Sequence, residues 1–170
     1  MTKGVRKAGK TLKDSERRRL AKRSRAEYPV PGTGYSLPPG WAVVWCDGGS
    51  RGNPGPAAYA FVICADDGTD LASAAVAIGV ATVGTAEYRA VVAGLEAAAE
   101  LSLDRVELRT DSRLVIRHLG DSARPLRNPA LAGLRDQALA AAARMEAVRY
   151  RWVPAELNGR ADALVGDLLV

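Results

Sequence analysis

The chain has 170 residues, of which 48% are hydrophobic, and a formal net charge of +5. This length suffices for one domain with a buried core, and the lack of any apolar run of about 18 residues predicts no membrane span. The start of the chain is charged and lacks the apolar stretch of a secretory signal. Cys46 and Cys64 are the only cysteines and form no C-x-x-C pair. We therefore expect a cytoplasmic protein with reduced, packed thiols and no zinc site.

The positive charge is concentrated at the start of the chain. Residues 1–27 hold eleven Lys or Arg and three Asp or Glu, whereas the rest holds 13 basic and 16 acidic residues. The few apolar side chains of this segment cannot cover a core, which predicts a disordered tail. The tail either contacts nucleic-acid phosphates and releases their counterions, or is a solvated leader. Residues 28–40, with four prolines and three glycines, predict a linker, and the domain is expected at 41–170.

The hydrophobic pattern of the domain changes period several times. Short apolar runs predict strands at 41–46, 57–64, 69–77, 106–110 and 147–153. Helical spacing predicts helices at 85–101, with Thr85 as a cap, and at 112–119, 129–144 and 158–170. This order predicts an α/β fold with a five-stranded mixed sheet and helices on both faces. Its first three strands are expected to be antiparallel, and the last two parallel to the first.

Four carboxylates fall at predicted strand ends or helix starts: Asp47, Glu87, Asp111 and Asp162. Such positions form the ligand crevice of α/β sheets, so the four acids are expected to converge. Because unpaired carboxylates at close range repel one another, the arrangement predicts hard cations between them, such as magnesium or manganese. Two divalent ions roughly 3.5–4 Å apart would support in-line phosphoryl displacement.

The segment after Asp47 is unusually rich in glycine. Residues 48–56 contain four glycines and two prolines. Without side chains in the way, several backbone N–H groups of this segment could approach a ligand closely. The alternative is an ordinary hairpin loop that begins with a solubilising acid.

Together, four sequence blocks resemble those of the type 1 ribonuclease H family. The blocks are DGGSRGNPGP at 47–56, TAEYRA at 85–90, TDS at 110–112 and NGRAD at 158–162. They occur in the family's order and at compatible spacings, and the resemblance covers residues 41–169. It implies the family's ribonuclease H-like fold, a five-stranded mixed sheet that agrees with the predicted elements.

The resemblance also implies a reaction. A ribonuclease H hydrolyses the RNA strand of an RNA–DNA hybrid by a two-metal mechanism and leaves 5′-phosphate and 3′-hydroxyl ends. Mg²⁺ is the expected cofactor, with Mn²⁺ as a substitute. Asp47 is implied to bridge both metals, Glu87 and Asp111 to complete the shell of one, and Asp162 to hold the other. The expected partner of this monomer is the hybrid.

Substrate contacts are implied by the same matches. The glycine-rich segment, with Gly48, Gly49 and Ser50, is implied to read the minor groove together with Glu87, and Asn53 to contact the RNA strand. Thr82 and Asn128 match positions that grip a DNA-strand phosphate in the family.

The chain departs from the family pattern in three places. Many members have two asparagines shortly before the helix acid, where this chain has Val83 and Gly84. Double-stranded RNA or structured nucleic acid is therefore an alternative substrate, and a non-catalytic hybrid-binding module is a third hypothesis. The histidine that some members carry in the loop before the last acidic block is also missing. Glu156 lies in this loop, and it either assists water delivery or product release, or it is an exposed acid without a role. The basic handle of some relatives is also absent, and the tail could supply that cationic grip.

Four further side chains are expected to be structural. His118, the only histidine, is predicted on a helix surface. Trp45 and Trp152 fall in predicted strands, which favours packing over base stacking. Tyr88 points about 100° away from Glu87 around the helix, so its expected role is packing.

Overall fold

The computed structural model describes residues 24–27, 37–121 and 124–170, and for 24–27 it describes the backbone alone. Most of the predicted tail and linker lies outside the described residues. The division of the chain into tail, linker and domain therefore stays a prediction.

The described residues form six strands and four α-helices. The strands are β1 (Ser24–Glu27), β2 (Ala42–Ser50), β3 (Gly55–Cys64), β4 (Asp70–Ala81), β5 (Arg105–Thr110) and β6 (Ala147–Trp152). The helices are α1 (Val83–Glu100), α2 (Arg113–Gly120), α3 (Pro129–Ala142) and α4 (Gly159–Leu168), with a 3₁₀ turn at Ala155–Leu157. Across the described ranges, no helix has the length and apolar character needed to cross a membrane.

A single mixed sheet has the strand order β1-β6-β5-β2-β3-β4. β3 is antiparallel to both β2 and β4, whereas β5 is parallel to β2 and β6 is parallel to β5. The predicted five-stranded mixed sheet is confirmed for β2 to β6. β1 adds an unpredicted sixth strand, parallel to β6. Its sequence, SRAE, has no β-branched or aromatic residue that would indicate a strand.

Helices cover both faces of the sheet, as predicted. α1, α2 and α3 lie over one face, where Val44, Leu95 and Ile116 are fully buried in the main hydrophobic core. α4 lies on the other face, where Val165 packs with small residues of β3. This arrangement follows from the alternation of side chains along each strand, which gives both faces an apolar surface.

β2 is longer than predicted. Its ladder with β3 continues as far as the pair Ser50–Ala57, so Asp47 lies within the strand rather than at its end. The glycines after Asp47 do not end the strand, because the ladder uses only backbone groups.

α1 begins earlier than predicted, and its cap is a different threonine. Thr82, not Thr85, is the N-cap: the Thr82 hydroxyl oxygen accepts a hydrogen bond from the backbone N–H of Thr85 at 3.2 Å. Glu87 therefore lies in the second turn of the helix rather than in the first.

The prediction of a surface position for His118 is wrong. The residue is only 9% exposed, and its ring stacks on Tyr88 with the ring centroids 6.5 Å apart. The reason is that α2 packs beside α1, which carries the fully buried Tyr88. Burial, followed by the charge of Arg135, lowers the pKa of His118, which favours the neutral ring.

The packing roles of the two strand tryptophans agree with the structure. Trp45 and Trp152 are half-buried against hydrophobic clusters. A guanidinium lies over each ring, with Arg109 4.9 Å from the Trp45 centroid and Arg113 4.7 Å from the Trp152 centroid. The two cysteines are free and buried, as expected for packed thiols.

α1 lies close to β2 because it carries glycine at the contact. A Cβ atom at Gly94 would stand 2.7 Å from Cγ1 of Val44 and 3.0 Å from Sγ of Cys46. Real Cβ atoms rarely approach other atoms so closely, so any larger residue would push the helix away from the sheet.

Replacing Gly94 with alanine should destabilise the domain by about 1–3 kcal/mol, because the added methyl group overpacks the contact between α1 and β2. Gly133 in α3 is the matched control, since no atom lies within 4 Å of its added Cβ. Gly133→Ala should stabilise the domain by about 0.5–1 kcal/mol through helix propensity. Urea unfolding measures both changes, and equal stabilisation by the two variants would contradict the close contact.

Candidate active site

β2 and β5 bring two of the predicted acids together. Asp47 lies in β2 opposite Ala60 of β3 and is half-buried. Asp111 directly follows β5, which runs parallel to β2. The backbone carbonyl of Asp111 accepts a hydrogen bond from Nε1–H of Trp152, at the end of β6, at 3.0 Å. Because Trp45 of β2 is paired with Arg109 of β5, Asp47 and Asp111, each two residues further along, lie side by side where β5 ends.

Gly48 sets the position of the third acid. A Cβ atom at Gly48 would collide with the backbone of Ala86 and Glu87 in α1. Only glycine lets the helix cross β2 at this point, one residue after Asp47. The contact therefore holds Glu87 beside Asp47.

The fourth acid, Asp162, lies in the first turn of α4 and is exposed. α4 reaches β2 through Gly49, whose added Cβ would stand 3.2 Å from Cγ1 of Val165. A second link is the side chain of Asn158, whose Nδ2–H donates to the backbone carbonyl of Cys46 at 2.9 Å. These contacts place the start of α4 next to the strand that carries Asp47.

The charges of the four acids act on one another. The pKa of Asp47 is raised to about 6, chiefly by burial and then by the negative charges of Asp111 and Asp162. A hydrogen bond from the backbone N–H of Gly48 acts in the opposite direction. The structure therefore brings Asp47, Asp111 and Asp162 within electrostatic reach, as predicted.

Glu87 belongs to the same electrostatic group. Its pKa is raised to about 7, chiefly by burial. A hydrogen bond from Ser112 acts to lower this pKa, and the charges of Asp111 and Asp47 act to raise it. Within the described part of the chain, no three His, Cys, Asp or Glu side chains form a ready-made metal cluster. Partly buried, mutually repelling carboxylates are nevertheless the donors that hard divalent cations prefer. The chemistry of this donor set fits such cations.

The sequence predicts Gly48 and Gly49 in a glycine-rich loop after the first strand, but the structure places them elsewhere. Both lie inside β2, where the missing side chains make room for α1 and α4 rather than for an open loop. Ser50 ends the strand, and its hydroxyl donates to the carbonyl of Ala81 at 2.9 Å. A role of these three residues in reading the minor groove stays a prediction.

The other predicted substrate contacts lie at helix starts. The exposed Asn53 accepts a hydrogen bond at Oδ1 from the N–H of Val83 at 3.2 Å, beside the Thr82 cap of α1. Asn128, also exposed, caps α3, and its Oδ1 accepts from the N–H of Ala130 at 3.0 Å. Helix N-termini favour anions, so these positions suit phosphate contacts. Glu156 is exposed on the 3₁₀ turn before α4.

Sequence reasoning missed two residues that support the acids. Ser112 caps α2 and hydrogen-bonds to Glu87, and Asn158 joins α4 to β2. Each is a small polar residue within four positions of a predicted acid. Their closeness in sequence to an acid is the signal that could have identified them, although it does not show which group each side chain bonds to.

The fold and the arrangement of acids define a ribonuclease H-like domain, and comparisons with known proteins agree. A family model described as reverse transcriptase-like matches residues 45–167. Ribonuclease HI of Halobacterium salinarum is 42% identical over 123 residues, covering 72% of this chain and 61% of that protein.

Two solved structures extend the comparison. The N-terminal RNase H domain of Rv2228c from Mycobacterium tuberculosis is 41% identical with a TM-score of 0.71, covering 75% of this chain and 97% of that chain. LC11-RNase H1, solved in complex with an RNA/DNA hybrid, is 30% identical with a TM-score of 0.68, covering 74% and 94%. The chain belongs to the ribonuclease H family. It spans 35% of the length of the curated mycobacterial relatives that it matches.

Asp111→Asn should stabilise the metal-free protein by up to about 1 kcal/mol, because one charge that raises the pKa values of Asp47 and Glu87 disappears. Asp104→Asn is the matched control, since it removes an exposed carboxylate from the turn before β5. Urea unfolding with a chelator present measures both. A loss of stability specific to Asp111→Asn would contradict the repulsion.

Proposed function

We propose that this protein is a metal-dependent endoribonuclease that hydrolyses the RNA strand of RNA–DNA hybrids and leaves 5′-phosphate and 3′-hydroxyl ends. The observation that carries the proposal is the convergence of Asp47, Glu87, Asp111 and Asp162 where the middle of β2 passes the carboxyl end of β5. The similarity to LC11-RNase H1, which was solved with an RNA/DNA hybrid, supports the choice of substrate.

The four acids would hold two divalent ions, Mg²⁺ with Mn²⁺ as a substitute. When bound, such ions activate the attacking water and stabilise charge on the scissile phosphate. The protein's own contribution is positioning: Asp47 is fixed by the β2–β3 ladder, and Glu87 by the close contact at Gly48. Rigid placement of this kind suits a reaction in which catalysis rests on geometry and electrostatic stabilisation.

Substrate binding is proposed around this end of the sheet. Asn53 lies beside the start of α1 and is suited to contact the RNA strand. Thr82 and Asn128 cap α1 and α3 and would grip a DNA-strand phosphate with the help of the helix N-termini. Glu156 is proposed to assist water delivery or product release from its exposed turn.

Double-stranded RNA is the second candidate substrate. The chain has Val83 and Gly84 where many family members have asparagines, and neither side chain can form an amide's hydrogen bonds. The N–H of Val83 is already bonded to Asn53. Recognition of the DNA strand would therefore rest on other groups.

That the protein is a monomer and lies in the cytoplasm stays a prediction.

Cleavage of one end-labelled sequence in four forms tests the proposal. The forms are RNA–DNA hybrid, double-stranded RNA, single-stranded RNA and double-stranded DNA, each with Mg²⁺, with Mn²⁺ and with a chelator. Metal-dependent cutting of the hybrid alone is expected. Asp111→Asn should lower kcat by at least about 100-fold, because it removes a charged metal ligand.

The other outcomes discriminate between the hypotheses. Cutting of double-stranded RNA would move the function to the second candidate. Tight binding without cutting would identify a binding module. Near wild-type cleavage by Asp111→Asn, with Asp104→Asn as the matched control, would remove Asp111 from the metal site.

The basic segment of residues 1–23 is proposed to add a nucleic-acid contact. It holds ten Lys or Arg and two Asp or Glu, and it ends where β1 begins. Deleting it while keeping β1 should weaken hybrid binding and flatten its dependence on salt, because fewer counterions are released. Cleavage should remain metal-dependent. Binding titrations from about 50 to 200 mM salt measure the slope.

A variant with the ten basic residues replaced by glutamine separates charge from length. It should behave like the deletion if phosphate contacts are responsible. An unchanged salt slope in both variants would make the segment a passive leader.

A further inference from the structure

Asn158 is hydrogen-bonded both to the residue before Asp47 and to Asp162. It lies between the 3₁₀ turn and α4, four residues before Asp162, and is 1% exposed. It stands at the N-cap position of α4, yet its side chain makes no capping hydrogen bond. Instead, Nδ2–H donates to the carbonyl of Cys46, the residue immediately before Asp47.

We propose that Asn158 is a positioning residue that fixes the distance between Asp47 and Asp162. Its backbone carbonyl accepts the N–H of Asp162 at 3.1 Å, and its side chain donates to Cys46 at 2.9 Å. Two consecutive hydrogen bonds thus connect β2 at Asp47 with the first turn of α4. The catalytic meaning of this link rests on the proposed function.

Capping does not account for an asparagine here. Asn, Asp and Ser are about equally good N-caps because each offers a side-chain oxygen to the first N–H groups of a helix. In Asn158 the group that forms the long-range hydrogen bond is the amide N–H. Aspartate lacks such a donor, and the serine hydroxyl is too close to the backbone to span the same distance.

Stability alone does not account for it either. Oδ1 of Asn158 is buried and has no hydrogen-bond partner among the described residues. Leaving a buried acceptor unpaired is unfavourable, so this amide carries an energetic cost while its N–H holds β2. A residue selected only to fill the space would be apolar. The amide donor is explained by the position that it imposes on the start of α4.

The acid that depends most on this link is Asp162. It is exposed and lies on a short helix, whereas Asp47 lies within the β2–β3 ladder. Loss of the link would leave the start of α4 without its hydrogen bond to β2. α4 would still be held by the apolar contact of Val165 at Gly49 and by the ion pair of Arg160 with Asp70 of β4, at 2.7 and 2.8 Å, but neither contact involves Cys46, the neighbour of Asp47. Cation binding should therefore weaken before the fold is lost.

Three substitutions test the proposal: Asn158→Ser, Asn158→Asp and Asn158→Ala. The first two retain a capping oxygen, and all three lack the amide donor. With Mn²⁺ as the probe, the concentration that gives half of the maximal thermal shift should rise by about 10-fold or more in Asn158→Ser and Asn158→Ala. On the hybrid, kcat should fall for all three variants while KM changes little.

Two further variants separate positioning from stability. Gln137→Glu makes the same amide-to-acid change as Asn158→Asp at an exposed site on α3, and it should leave the Mn²⁺ response unchanged. Gly159→Ala should stabilise α4, because its added Cβ meets no atom within 4 Å. Combined with Asn158→Ser, it should restore melting temperature but not the Mn²⁺ midpoint.

The contrary results are distinct. Wild-type behaviour of Asn158→Ser and Asn158→Asp, with a defect only in Asn158→Ala, would make Asn158 a helix cap. Recovery of the Mn²⁺ midpoint together with stability in the double variant would make its role merely structural. Failure of the wild-type protein to cut the hybrid would refute the proposed function, whereas the Mn²⁺ midpoints would still test the link between β2 and α4.

Discussion

The contact between α1 and β2 is the constraint on which the rest of the domain depends. Two glycines, Gly48 in the strand and Gly94 in the helix, remove the side chains that would otherwise separate the two elements. The helix and strand are thereby held close at two points along their length. Because Ala86 and Glu87 lie directly against Gly48, the same contact that closes the core also determines where the carboxylate of Glu87 stands.

This placement of the acids opposes folding in the absence of cations. A carboxyl group whose pKa is higher in the folded than in the unfolded chain destabilises the fold at neutral pH, and the penalty disappears as the pH falls below the unfolded value. Asp47 and Glu87 are of this kind, chiefly because they are partly buried. The main core on the α1 side therefore has to hold these charges in place against their repulsion, which bound cations would offset.

Much of the domain could be predicted from the sequence, because hydrophobic period and acid placement are local signals. The five-stranded mixed sheet, the helices on both faces and the convergence of four acids follow from them. The role of Gly48 could not be predicted, since a glycine needed for a turn and one needed for a helix crossing look alike in sequence. Burial of His118 depends on how α2 packs beside α1, which is a tertiary property.

Other features lacked any local signal. β1 has no strand-forming residues and exists through pairing with β6. The bond of Asn158 to Cys46 joins residues 112 positions apart. The sequence predicts Thr85 as the cap of α1, whereas the structure uses Thr82, because two threonines three residues apart are equally plausible caps.

The direction of β1 has a consequence for the basic segment. β1 runs parallel to β6, with Ser24 beside Val148, whereas Trp152 of β6 contacts Asp111 at the end with the acids. At about 3.3 Å per residue, the four-residue separation corresponds to about 13 Å along the sheet. The ten cations of residues 1–23 are therefore attached at the opposite end of the sheet from the carboxylates. That offset equals about four nucleotide steps of 3.4 Å, so under the proposed function the phosphates near the attachment point would be distinct from the scissile phosphate.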